Sequence, residues 1–371
     1  MMRIDRVTEY LESRIDAGDF PSAVYLVAER DEVRFQDAVG HAVVEPETIE
    51  ATTETIYDVA SLTKVLVTTL IISSLVERGE LDPNSRLGDL LNEFYTSSHA
   101  EVTVNQLMMH TSGLPAWKPM YFLAESRDGV ATEIARSLPA DEQKPVTYSD
   151  LNFHCLMLIA EEIGRTGFEE LAIKTIFRPL GLTATAFNPS KELKSRIAAS
   201  EKGNAYEKQT CLELGYLKDA NGKNAHFRED VIWGEVHDGN AYFMGGVAGH
   251  AGLFSTARDV CTIAHQFLPA HTKLLKPETC DLFRTNFTRG LNEDRSFGFQ
   301  LASTEGSSAG TRISRESFGH NGFTGTSLWI DPVQERIIIL LTNRTHAHEL
   351  PFVNINSVRR RFCDLSVEAL D

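Results

Sequence analysis

Val59-Ala60-Ser61-Leu62-Thr63-Lys64, running on into Val65-Leu66-Val67, is the stretch on which the reading of this chain turns. Apolar residues from Val65 to Arg78, closed by Gly79, predict one buried helix with a glycine at its exit. If Ser61 opens that helix, Ser61 and Lys64, three apart, share a face. A serine hydroxyl is a weak nucleophile until a base takes its proton. A desolvated lysine can be that base or pass the proton on. The pair alone is an undemanding motif, and a capped helix with a solvated lysine explains it as well.

Two further elements lie outward from it. Tyr148-Ser149-Asp150 precedes an apolar helical stretch, Leu151 to Ile163. A phenol beside Lys64 can shuttle a proton; alternatively Ser149 or Asp150 caps the helix and Tyr148 packs as its staple. His320-Asn321-Gly322, followed by Phe323-Thr324-Gly325-Thr326, leads into a strand. Its glycines allow a ligand close to the backbone, and a backbone N–H there can complete an oxyanion site with that of Ser61.

Together, Ser61-x-x-Lys64, Tyr148-Ser149-Asp150 and His320-Asn321-Gly322 resemble, in order and spacing, the three motifs of the penicillin-recognising serine hydrolases. The branch resembled holds class C β-lactamases, DD-peptidases, esterases and amidases. Leu107 to Pro115, Pro179-Leu180-Gly181-Leu182 and Gly252 to Thr256 resemble the same branch, so the likeness runs over about residues 20–345. The resemblance implies that Ser61 attacks a carbonyl, that Lys64 and Tyr148 share the proton work, and that the N–H groups of Ser61 and Phe323 bind the oxyanion. It implies no metal and no organic cofactor.

The chain departs from the pattern in two places. His320 stands where many relatives carry lysine, and a neutral imidazole offers a substrate carboxylate little charge. Arg344 is then a candidate for the missing cation. Asp150 stands where Asn is commoner; aimed at Lys64, its carboxylate would hold that lysine protonated and pass the base role to Tyr148. Glu235, His237 and Asp238, in the segment Trp233 to Ala241, are expected near the cleft together with Asn321 and Gly322. That segment resembles cell-wall-related hydrolases, including amidases that trim recycled muropeptides.

The layout expected is α+β. Strands at Ser22–Ala28, Val33–Val39, Ser296–Ala302, Thr326–Ile330 and Arg336–Thr342 form an antiparallel sheet from both ends of the chain. Residues 1–60 and 290–371 make up that sheet region, flanked by helices at Met1–Asp16 and Phe352–Ala369. Residues 61–289 are an inserted, mainly helical region with an irregular polar excursion at about 190–239.

Over 371 residues the net charge is −16, which argues against nucleic acid and against an anionic membrane surface as partner. The amphipathic start does not read as a signal peptide, and five scattered cysteines suggest neither a disulfide framework nor a zinc site. A cytoplasmic setting is expected. The expected partner is a small-molecule or peptide-like acyl substrate. The leading expectation is an amidase or peptidase acting on peptidoglycan-derived muropeptides. The competing readings are a broad carboxylesterase, a β-lactamase, and a catalytically silent protein that binds cell-wall fragments.

Overall fold

Strand alternation builds the centre of the molecule. In the computed structural model, which describes residues 5–139, 145–217 and 227–371, Ser22–Glu29 forms β1 and Glu32–Val43 forms β2. Along β1, Val24, Leu26 and Ala28 face one apolar core, and Ala23, Tyr25 and Val27 face another. A strand apolar on both faces must lie inside a sheet covered on both sides.

The short strands β3 (Ile49–Glu50), β4 (Tyr57–Asp58), β5 (Ala186–Phe187) and β6 (Leu253–Ser255) come next along the chain. The last four are β7 (Gln300–Leu301), β8 (Phe318–Asn321), β9 (Ser327–Asp331) and β10 (Arg336–Thr342). The seven-stranded sheet runs β3-β2-β1-β10-β9-β8-β7, and β4-β6-β5 make a small separate sheet. β1 and β10 pair antiparallel from Ala23 opposite Thr342 to Glu29 opposite Arg336. Both ends of the chain therefore meet at the middle of the sheet, and the fold is α+β with an antiparallel sheet, as the patterning implied.

Helix α1 (Asp5–Asp16) packs on the sheet with Val7 and Leu11 inward, beside the C-terminal helix. The other face carries the larger core. There Leu70–Glu77 forms α2, entered through a π-helical turn over Lys64–Thr69 whose six residues are all buried. Such turns with i→i+5 bonding occur mostly as local insertions at functional sites. Asp150–Gly164 forms α3, which ends as Arg165 turns left-handed at φ 49°.

Three expectations need correction. The strand expected over Ser296–Ala302 contracts to Gln300–Leu301, because Gly298, at φ 88°, folds the chain into a turn whose Ser296 N–H donates to Phe299 O. The polar excursion contains a helix, α4 (Ala205–Glu213), and residues 218–226 of that excursion lie outside the described residues. Its buried positions are Glu207 and Cys211, so no apolar stripe announced it. Further on come the short α5 (Gly239–Phe243) and α6 (Ala257–Ala264). The last helix, α7 (Asn356–Leu370), starts four residues late, since Phe352 instead packs against Tyr206 and Phe323.

Candidate active site

The sequence places Ser61 in a turn directly before the Lys64 π turn, and local bonding fixes it there. Asp58 closes the turn by accepting from the Ala60 N–H (2.8 Å), which leaves Ala60 in the left-handed region at φ 48°. A non-glycine residue held so costs about 1 kcal/mol and persists only where its surroundings enforce it. Lys64, with no exposed side-chain surface, directs its Nζ to Ser61 Oγ (2.9 Å), His250 O (3.0 Å) and Asp150 Oδ1 (2.7 Å). The Tyr148 ring lies beside this pair, its centre 5.0 Å from Lys64 Nζ.

The glycine-rich segment 245–252 explains how His250 O reaches this lysine. Gly249 lies against α3 so closely that a Cβ would sit 2.8 Å from Met157 Cβ, and its carbonyl accepts from Thr68 Oγ1 (2.6 Å). Tyr148 is set from the opposite side. The Ser149 N–H donates to His110 Nδ1 (3.0 Å), Ser149 Oγ to Pro115 O (2.6 Å), and the His110 ring packs 4.8 Å from the phenol ring. Neither expected cap forms: the Ser149 hydroxyl is spent on Pro115, and Asp150 points at Lys64.

The His320 strand is pinned to the turn that carries Ser61. Thr324 Oγ1 donates to Asp58 O (2.8 Å), Thr326 Oγ1 to Val59 O (3.0 Å), and the Gly322 N–H to Thr326 O (2.8 Å). Gly322 is required there, since a Cβ would lie 2.6 Å from Val59 O. The N–H groups of Ser61 and Phe323 donate no hydrogen bond among the described residues. His320 gives its Nδ1–H to Asn321 O (2.8 Å), since a carbonyl only accepts, and so presents a bare Nε2.

The electrostatics follow from burial and neighbours. Burial works to lower the Lys64 pKa, but Asp150 and Tyr148 outweigh it and hold the ammonium above its usual range. Burial pushes the Tyr148 phenol up, with Lys64 opposing and Asp150 adding to it. Burial, then the charges of Lys64 and Arg295, drive His320 well below its ordinary value, so it is neutral at pH 7. Burial, with Asp238 nearby, lifts Glu207 to about 7. Burial lowers the His237 pKa, yet its bond to Glu201 (2.8 Å) leaves the net direction upward.

Of the residues expected at the site, Ser61, Tyr148, Asp150, His237, Asp238, His320, Asn321, Gly322, Phe323 and Arg344 line a cavity of about 760 Å³, with Lys64 buried beneath. Glu235 does not line it; the carboxylate is half-exposed and faces Arg228 at 3.7 Å. Arg344 donates Nε to Phe323 O (2.7 Å) and Nη1 to Val353 O (2.7 Å) while stacking on the Phe323 ring. Tyr206, Glu207, Arg295 and Arg359 also line the cavity and were missed. Only long-range packing brings them there, and no local motif marks them.

Asp150, Asp238 and His250 offer metal-type ligand atoms within 4.8 Å of one another. Both carboxylates already have partners: Asp150 faces the Lys64 ammonium, and Asp238 Oδ1 lies 3.0 Å from His250 Nε2. A dication there would sit against a buried ammonium. His346 uses both ring nitrogens on backbone, Nε2 accepting from Val44 N–H (2.9 Å) and Nδ1–H donating to Ser200 O (2.8 Å), so His346-x-His348 is no ligand pair. Among the described residues no helix is long and apolar enough to cross a membrane.

Comparison with known proteins places this geometry. A protein of Escherichia coli (strain K12) named "Putative D-alanyl-D-alanine carboxypeptidase" is 30% identical over 93% of this chain and 83% of its own length. The fold matches the class C β-lactamase of Rhodobacter sphaeroides at TM-score 0.71 and 18% identity, over 98% of this chain and 99% of the other. It also matches EstCE1, a hydrolase with promiscuous acyltransferase activity, at TM-score 0.73 and 19% identity over 98% of each chain. The octameric penicillin-binding protein homologue from Pyrococcus abyssi matches at TM-score 0.72 and 17% identity, over 100% of this chain and 77% of the other. The family model for β-lactamase matches residues 7–359, and the chain belongs to the β-lactamase family of hydrolases.

Proposed function

We propose that the protein is a serine hydrolase that forms an acyl-enzyme at Ser61 and cleaves an amide bond in peptides derived from peptidoglycan. The observation that carries this is the Lys64 Nζ–Ser61 Oγ contact of 2.9 Å, with the Tyr148 ring centre 5.0 Å from the same ammonium. The carboxypeptidase name borne by the E. coli relative supports an amide substrate. Five cysteines, all buried free thiols, support a reducing cytoplasm.

The electrostatics support the following steps. Asp150 holds Lys64 as an ammonium, so Lys64 donates to Ser61 Oγ and does not deprotonate it. Tyr148 is then the group that takes the proton: burial raises its phenol overall, and the Lys64 ammonium works against that rise and favours the phenolate. Tyr148 takes the Ser61 proton as Oγ attacks the carbonyl carbon, and the developing oxyanion lies between the N–H groups of Ser61 and Phe323. The C–N bond then breaks, the electron pair leaves with nitrogen, and Tyr148 returns the proton to it. Water releases the acyl group by the same relay. Asn321, Gly322 and neutral His320 border the substrate, with His237 and Asp238 on the facing wall. Arg344, through Phe323 O, positions the oxyanion segment.

The test is acylation. A small ester, a penicillin and a MurNAc-peptide are incubated with the protein and with Ser61→Ala, and Ser61 is examined by mass spectrometry alongside turnover. Adduct and turnover on the MurNAc-peptide, absent in Ser61→Ala, are expected. Turnover of the ester alone supports the carboxylesterase reading, which the aromatic lining by Trp117, Tyr206 and Phe323 favours. No adduct with any of the three supports a silent binding protein.

A further inference from the structure

Arg344, just after β10, and Arg359, on α7, both line the cavity, and neither has an ion-pair partner among the described residues. Their acceptors are neutral. Arg344 donates to Phe323 O and Val353 O. Arg359 gives Nη2 to Gly322 O (2.8 Å) and Thr326 O (2.9 Å), and Nη1 to Asn356 Oδ1 (2.9 Å). Its Nε has no partner among the described residues, and the residue is only 7% exposed. Burial, then the charge of Arg344, lowers its pKa to about 9, so it is still a cation at pH 7.

A buried cation without a counter-ion is costly, and such a violation is expected where its charge is used. The charge of Arg359 is directed at one peptide unit. The Gly322–Phe323 bond is trans, since the cis bonds among the described residues are Glu45-Pro46 and Leu350-Pro351. In a trans peptide the carbonyl oxygen and the following N–H point in opposite directions. Tying Gly322 O to α7 therefore aims the Phe323 N–H away from the guanidinium. The Gly325 N–H also donates to Gly322 O (3.1 Å), so both lone pairs are engaged and the peptide plane cannot swing. A cation on the carbonyl further polarises the amide and makes the N–H on its far side the stronger donor.

We propose that Arg359 is a positioning residue for the oxyanion site: through Gly322 O it fixes and polarises the peptide whose N–H, that of Phe323, receives the charge developing on the substrate's carbonyl oxygen. The assignment rests on Ser61 acylation, and on the Phe323 N–H as an oxyanion donor, as described above. It needs no contact between Arg359 and the substrate. Arg344 grips the next peptide through Phe323 O, so two uncompensated cations hold consecutive peptides of the glycine-rich turn.

An ester and the thionoester with the same acyl and leaving groups test this, because exchanging C=O for C=S weakens the acceptor that the N–H must meet and changes nothing else. Each rate is divided by that of the same compound with hydroxide, which removes the intrinsic difference in reactivity. The parent protein is expected to favour the ester in kcat/KM by at least about tenfold. Arg359→Met leaves no orphaned charge, and the Gly325 N–H stays on Gly322 O and the Gly322 N–H on Thr326 O (2.8 Å), so the turn is expected to form. That variant is expected to lose about 10- to 100-fold in kcat on the ester, with KM little changed, and to lose little on the thionoester. Arg359→Lys is expected to restore part of the difference. Equal losses on both substrates would mean that Arg359 only supports the fold and would overturn the proposal. So would a parent protein indifferent to the exchange of oxygen for sulfur, a result that needs no variant to fold. Acylation of Ser61 without preference for oxygen sinks the oxyanion positioning alone, whereas no acylation by either compound sinks the serine-hydrolase reading and this one with it.

Discussion

Asp150→Ala isolates the charge pair at the centre of the site. Lys64 has no exposed side-chain surface, and Asp150 has 17%. Removing the carboxylate leaves a buried ammonium with two neutral acceptors, Ser61 Oγ and His250 O. Breaking a buried pair this way costs about 3–5 kcal/mol. Because Asp150 is partly open, water enters the vacated space, and about 2–4 kcal/mol is expected here at pH 7. The double variant Lys64→Met/Asp150→Ala carries no orphaned charge and should return to within about 1 kcal/mol of the parent.

The pH dependence has a definite sign. In the parent, Lys64 is raised above its usual 10.5 when folded, so the pair's stabilisation is full below 10.5 and is lost as pH climbs through the folded value. In Asp150→Ala, burial is no longer opposed by that carboxylate and favours proton loss, so the deficit should be largest near neutrality and shrink toward pH 10.5. Urea unfolding at several pH values, with the double-variant cycle, measures this. A variant within 0.5 kcal/mol of the parent at pH 7, or a deficit indifferent to pH, would refute the reasoning.

Three other expectations follow from the same geometry. The kcat/KM of the parent should rise with pH on a limb belonging to Tyr148, and Asp150→Asn should move that limb to lower pH, since the carboxylate raises both Tyr148 and Lys64; an unmoved limb excludes the coupling. Glu207, lifted to about 7 from 4.5, binds its proton more tightly folded than unfolded, so stability falls between those pH values. Glu207→Gln should therefore gain up to about 3 kcal/mol over the parent at pH 8, read by calorimetry, and no gain would contradict the burial argument. Gly322→Ala should lower kcat at least about tenfold with the fold intact by circular dichroism, because the new Cβ meets Val59 O and pushes the Phe323 N–H away from Ser61; unchanged kcat would show that segment is not part of the oxyanion site.

Much of this was legible in the chain, for reasons that are local. β1 and β10 are short apolar runs bounded by turn residues, and Arg336–Thr342 matches the expected strand end for end. Ser61, Lys64 and Tyr148 stand in compact motifs whose chemistry is recognisable without the fold. Arg295 had no such signal: its place in the cavity wall depends on what surrounds it, namely Tyr148 from 147 positions earlier and a strand that collapses into a turn at Gly298. Asp150 was legible as a residue but ambiguous as a partner, because the same position can cap a helix or face Lys64. Only the packing of α3 against the Lys64 turn decides between them. Glu207 was hidden because a buried glutamate breaks the apolar pattern that betrays a helix.

The threonine ties from the Phe323 segment to Asp58 O and Val59 O have a consequence for how the molecule is made. Ser61 is synthesised early and Phe323 late, and the two ends of the chain are joined in register only when β10 is laid beside β1. A nascent or truncated chain can hold the serine, the lysine and the tyrosine and still have half an anion cradle. In the proposed mechanism, activity is thus expected only once the sheet is complete. The appearance of turnover during refolding would serve as a clock for the closing of the chain upon itself.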